Sequence, residues 1–164
     1  MFTIQNTAPT DSAWHPPHTP PNGCVSVFFN AFLNWPGCRD YTQCDVSDNS
    51  GGVVSNGQYL AQADLTPLGI NMKDGAAHPV HIIFNCEKLT VWLDGLKVLS
   101  NVPVLGLGQA VDASGNAWVG FGAATGWAWE DHDILSWSFR GAYENHDYGQ
   151  PRIRSPHDER VERE

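Results

Sequence analysis

The residues of this chain best suited to chemistry are its oxygen donors, histidines and cysteines. Residues 33–50 form a long polar stretch carrying Trp35, Pro36, Asp40, Asp45 and Asp48. Loops of that length in compact domains are usually functional or stapled. Glu130-Asp131-His132-Asp133 is the one dense acidic cluster. Clustered carboxylates suit a hard cation with oxygen ligands, and the plainer alternative is solubility. His78 and His81 are three residues apart, which on a strand sets them on opposite faces, so they would not share an ion. Four cysteines, Cys24, Cys38, Cys44 and Cys86, allow three pairings if all are oxidised. Cys38 and Cys44 bracket a short loop that could close as a local disulfide, which would imply an oxidising compartment; free buried thiols are the other reading. Neither a zinc spacing nor a GxSxG motif is present.

These groups need elements to hold them, and the pattern is one of short strands. Phe2–Gln5 reads as a strand, and Thr7–Gly23, with five prolines, reads as a loop. Cys24–Phe32 is rich in β-branched and aromatic residues and reads as a buried strand. Val80, Ile82 and Phe84 alternate with His81, Ile83 and Asn85, and a turn around Cys86-Glu87-Lys88 leads into Leu89–Asp94. There Leu89, Val91 and Leu93 take one face. Asp94-Gly95 marks a second turn, and Leu96–Leu99 completes a meander. Further strands are expected at Ala117–Ala123 and Ile134–Phe139, the latter taking Trp137 into the core. Strands joined by Gly/Pro turns without helices point to an all-β antiparallel sandwich. Residues 141–164 are charged, with few aliphatics, and are expected to be a disordered tail beyond a domain at 1–140.

Composition narrows the partners. The 164 residues carry a formal net charge of −9, and residues 1–139 hold four Lys/Arg against twelve Asp/Glu. So acidic a body has no footprint for phosphate backbones, which argues against nucleic acid. No stretch is long and apolar enough to span a membrane. The opening residues Met1–Asn6 lack the basic start and apolar run of a signal peptide.

Three segments together resemble a known family. Ala117-Trp-Val-Gly-Phe-Gly-Ala-Ala-Thr-Gly126, followed by Glu130-Asp-His-Asp-Ile-Leu-Ser-Trp-Ser-Phe139, resembles the closing strands of legume-type (L-type) lectin domains. Phe2-Thr-Ile-Gln-Asn6 is similar to the family's FTIQN strand, and Val25-Ser-Val-Phe-Phe-Asn-Ala-Phe-Leu-Asn34 to its metal-binding strand. Leu89–Asp94 falls where the family has a similar strand, so the likeness covers residues 1–140 in matching order. It implies a concanavalin A-like jelly roll, carbohydrate binding without catalysis, and an extracellular or secreted setting for the parent family. The family's sugar-binding Asp would fall before Met1, so the N-terminal strands of the domain are expected to be missing, and open strand edges would invite homo-oligomers.

The resemblance also assigns a site. The family's Glu and Asp metal ligands correspond to Phe28 and Asn30, and its His falls near Ser50, so a manganese site of family type is not expected. For calcium the matching oxygens are Asn30, the Phe32 carbonyl, Asn34, and one of Asp45 or Asp48. An Asx-rich loop satisfying its own backbone is the competing reading. A sugar wants an aromatic platform beside fixed amide or carboxylate partners. Carried over by position, these are Phe32, Asn34, Trp127, Trp129 and Glu130. The two tryptophans either stack on sugar or plug a gap left by shortened loops. Glycoside hydrolases share such sandwiches, but their ExDxxE pattern of paired acids is absent, so no enzyme is expected. A non-binding structural or partner-docking remnant is the alternative.

Overall fold

The computed structural model describes residues 1–6, 23–33, 44–85, 87–104, 110–123 and 129–140. Among these residues eight strands make two antiparallel sheets: β1 Phe2–Gln5, β2 Cys24–Asn30, β3 Ser50–Ser55, β4 Gln58–Asp64, β5 Val80–Asn85, β6 Lys88–Leu93, β7 Leu96–Pro103 and β8 Trp118–Phe121. The first sheet has the order β4-β3-β2-β1-β8 and the second β5-β6-β7. The only helical element among the described residues is a 3-10 turn, Thr66–Leu68. The chain is therefore all-β, as its composition leads one to expect.

One hydrophobic core joins the sheets. Val25 and Val27 of β2 and Val53 of β3 meet Leu89 and Val91 of β6 and Leu99 and Val102 of β7. Register explains the choice: Val25↔Ser55, Val27↔Val53 and Phe29↔Gly51 share the inner face, because side chains alternate along each strand. A second cluster, Leu65, Ile70 and Leu93, closes one end of this core. Leu89, Val91 and Leu93 are all buried, as their alternation predicts.

The meander forms as expected, and its turns have physical causes. Asp94 (φ 52°) and Gly95 (φ 78°) both take the left-handed backbone that a tight hairpin turn demands. β7 runs on to Pro103, beyond the expected Leu99. The β3–β4 hairpin is absent from the sequence reading, which leaves those residues without strands. Its signal is Asn56-Gly57, again two left-handed residues (φ 50° and 77°). The strand before it, Ser-Gly-Gly-Val-Val-Ser, looks too poor in apolar residues to bury itself. Its glycines answer a close approach: a Cβ on Gly52 would lie 2.5 Å from the Phe28 ring and 2.7 Å from the Ala61 carbonyl oxygen.

The expected strand at Ile134–Phe139 does not form. Residues 129–140 run without helix, strand, turn or bend, and all are exposed. Trp137, expected in the core, is 55% exposed and meets the Phe121 ring edge-on, with ring centroids 5.4 Å apart. Composition supplied a strand-like segment, but a strand exists only beside a partner, and among the described residues none pairs with this one. Cys24 is a free thiol buried in β2, where burial pushes its pKa up. Cys44 is disulfide-bonded, and Cys38 and Cys86 lie outside the described residues. So does the charged tail from residue 141.

Candidate functional site

Strand direction decides which loops meet. β2 and β8 each pair antiparallel with β1, so they run the same way, and their C-terminal ends point to one pole of the sheet. β4 shares that direction, with Asn30↔Ser50↔Asp64 aligned across β2, β3 and β4. This pole therefore receives Phe32 after β2, Asn49 before β3 and Thr66 after β4, and β8 ends there at Phe121. Leu93 packs with Leu65 and Ile70, which brings the Asp94-Gly95 turn to the same end.

Phe32 is 46% exposed just past the strand end. Asn30 fixes its backbone: the Asn30 Nδ2 donates to the Phe32 carbonyl (2.6 Å), and the Phe32 N–H donates to Asn30 Oδ1 (3.2 Å). That is an Asx turn, in which a short amide side chain replaces a backbone partner. Trp129 is 82% exposed, and the neighbouring Glu130 carboxylate lies 3.6 Å from His132 Nδ1. Two of the expected sugar contacts, Asn34 and Trp127, lie outside the described residues.

Among the described residues, the oxygens that calcium would need are turned to separate partners; Asn34 lies outside them. Asn30 and the Phe32 carbonyl bond each other. Asp45 is buried and accepts from the Tyr59 hydroxyl at 3.4 Å, well down the outer face of the sheet. Burial first, and then the Asp45 charge, pushes the Tyr59 hydroxyl far above its ordinary pKa. Asp48 pairs with Lys73 Nζ at 2.7 Å. Among the described residues no three His, Cys, Asp or Glu side chains group to hold a metal.

What organises the pole is a residue the sequence reading passes over. Asn49, buried before β3, donates from Nδ2 to the Ile70 carbonyl (2.6 Å) and the Thr66 hydroxyl (3.2 Å), and accepts at Oδ1 from the Met72 N–H (3.0 Å). It thus ties the loop after β4 to the start of β3. Asp64 supports the same loop, accepting from the Thr66 N–H and the Ser47 hydroxyl, each at 3.0 Å. Some loss of hydration opposes ionisation of the exposed Asp64, but these bonds outweigh it and hold its pKa below the ordinary value. Ser50, between Asn30 and Asp64, is fully buried and its hydroxyl has no hydrogen-bond partner among the described residues. Only a hydrogen-bond inventory could reveal such residues, because Asn and Ser in a polar stretch read as solvated loop.

The two histidines go to different partners, with His78 lying before β5 rather than on a strand with His81. His78 bridges two acids, with Nδ1 2.7 Å from Asp94 Oδ2 and Nε2 3.1 Å from Asp74 Oδ1. The bond to Asp94 is the main reason its pKa rises above the ordinary histidine value. His81 stacks on Trp92 (5.4 Å, 29°) on the outer face of the small sheet, and Lys97 covers the same indole at 5.5 Å. With a histidine ring and an ammonium already against it, Trp92 offers little free ring face to a ligand.

Comparison of the chain with protein-family models, with curated proteins and with solved structures finds no match. No helix among the described residues is long and apolar enough to cross a membrane.

Proposed function

We propose that this protein is a non-catalytic carbohydrate-binding domain of the legume-type lectin kind, its two sheets forming a concanavalin A-like jelly roll. The observation that carries the reading is topological. The parallel course of β2 and β8 brings the ends of both strands to one pole of the larger sheet, where Phe32 stands exposed; Trp129 and Glu130, which follow β8 in the chain, are exposed as well. Aromatic faces take the C–H side of a sugar ring, and a carboxylate accepts from neighbouring hydroxyls. The Asx turn at Asn30 holds Phe32 in place, which lowers the entropy lost when a ligand binds. Asn34 and Trp127 would complete this surface, and the reading implies an extracellular setting.

A glycan array on purified protein, run with calcium and again with chelator, tests the proposal. Binding that is quenched in Phe32→Ala and Glu130→Gln supports it. Dependence on calcium, lost in Asn34→Ala, would add a metal loop. Silence of the folded protein in both conditions overturns it and favours a partner-docking role, for which the apolar exposure beyond β8 is the specific support.

A further inference from the structure

We propose that the cross-strand row His81, Trp92 and Lys97, on the outer face of the small sheet, binds the carboxylate of an acidic sugar. Register fixes the row: His81 lies opposite Trp92 and Trp92 opposite Lys97, so the three stand side by side on β5, β6 and β7. With neighbouring strands about 4.8 Å apart, the row is roughly 10 Å long. Each residue offers a donor: an imidazole N–H, an indole N–H and an ammonium. Among the described residues none of the three donates a hydrogen bond or pairs with an acid; they are engaged with each other, through the His81–Trp92 stack and the Lys97–Trp92 contact. Trp92 is half-buried, yet its indole N–H is not sealed from solvent.

Charge and shape select the occupant. Residues 1–139 hold four Lys/Arg against twelve Asp/Glu, but the three strands of this sheet carry His81, Lys88 and Lys97 and no carboxylate. An anion is therefore drawn to this face of an otherwise acidic molecule. Stacking clamps the indole between its neighbours, so the donors stand ordered before a ligand arrives. With its ring faces taken, Trp92 meets the ligand at its N–H edge. Ile83, two residues from His81 on the same face, is 40% exposed and suits the C–H side of a pyranose. A carboxylate fixed to a sugar ring loses less freedom on binding than one on a flexible Asp or Glu side chain. A peptide would add its backbone to a strand edge, whereas this row crosses the middle of the sheet. The site does not rest on the reading of Phe32.

The indole N–H signals of the nitrogen-15-labelled full chain, titrated with oligogalacturonate, test the assignment. Trp92→Phe identifies the Trp92 signal by its loss and keeps a ring between His81 and Lys97. That signal should move with a midpoint of about 1 mM, a weak affinity of the size that few contacts give. The methyl ester of the same oligomer should leave it still. His81→Gln and Lys97→Gln, both at exposed positions, should each raise the midpoint about threefold or more, since they remove charge-assisted bonds. A signal that stays put up to about 10 mM overturns the proposal, because binding weaker than that is not a site. An ester that moves it equally also overturns it, as does a polyglutamate that binds as tightly, which would give the row to an acidic protein. Phe32→Ala and Glu130→Gln should leave the midpoint unchanged; a shift there would move the acidic sugar to the pole and overturn the proposal too. Glycan binding at the pole is read on the array and stands or falls separately.

Discussion

The molecule has a closed side and an open side, built from similar residues. Where β2 and β3 face β6 and β7, valines and leucines are fully covered, and even the outer face of β2 is buried through Phe28. At β5, at β8 and along residues 129–139, the same kinds of side chain stand in water: Val80, Phe84, Phe121 and Leu135 are each more than a third exposed. Val80 and Phe84 belong to the inner face by register, opposite Leu93 and Leu89. Alternation thus tells which face a residue takes, but burial also needs a layer to face. At about 25 cal/mol per Å² of apolar surface removed from water, the closed side carries the stability of the fold.

The strongest way to break this comparison is to truncate one leucine on each side. Leu93→Ala should cost about 3 kcal/mol by urea denaturation, since it empties a fully buried site in the cluster with Leu65 and Ile70. Leu135→Ala should cost the monomer under about 0.5 kcal/mol, as exposed positions do. Equal losses would mean that the open side is covered after all. Next in size, Asn49→Ala should lose about 2 kcal/mol in the same measurement, because it strands the Ile70 carbonyl and the Met72 N–H.

His78 gives a smaller effect that depends on pH. Its folded pKa is raised, so the stability it adds is fully present below the ordinary histidine pKa and fades as pH rises through the folded value. Urea midpoints measured across neutral pH should fall with rising pH in the parent, and His78→Gln should flatten that slope. The smallest change should be a gain. Ser50→Ala removes a buried hydroxyl that has no partner among the described residues, so thermal denaturation should show a stability unchanged or up to about 1 kcal/mol higher. A clear loss would reveal that Ser50 bonds something.

What could be read from the sequence follows the same division. Strands β2, β5 and β6 were legible because β-branched and aromatic residues recur in runs or at period two. The Asp94-Gly95 turn was legible for its left-handed pair. β3 was not, because Gly51 and Gly52 serve the rings of Phe29 and Phe28 on the neighbouring strand, a demand invisible in a local pattern. Ile134–Phe139 misled in the opposite sense: its composition is strand-like, but pairing is a property of two segments. For the pole, Phe32 could be placed from its strand, whereas the ties made by Asn49 depend on chain more than twenty residues away.

Cys24 has one further use. It lies in β2 between β1 and β3, with its carbonyl held by the Ser55 hydroxyl at 3.2 Å. A thiol so enclosed reacts with a labelling reagent only when the strands around it part. The waiting time before Cys24 itself is modified is therefore a clock for how often the start of β2 parts from its neighbours.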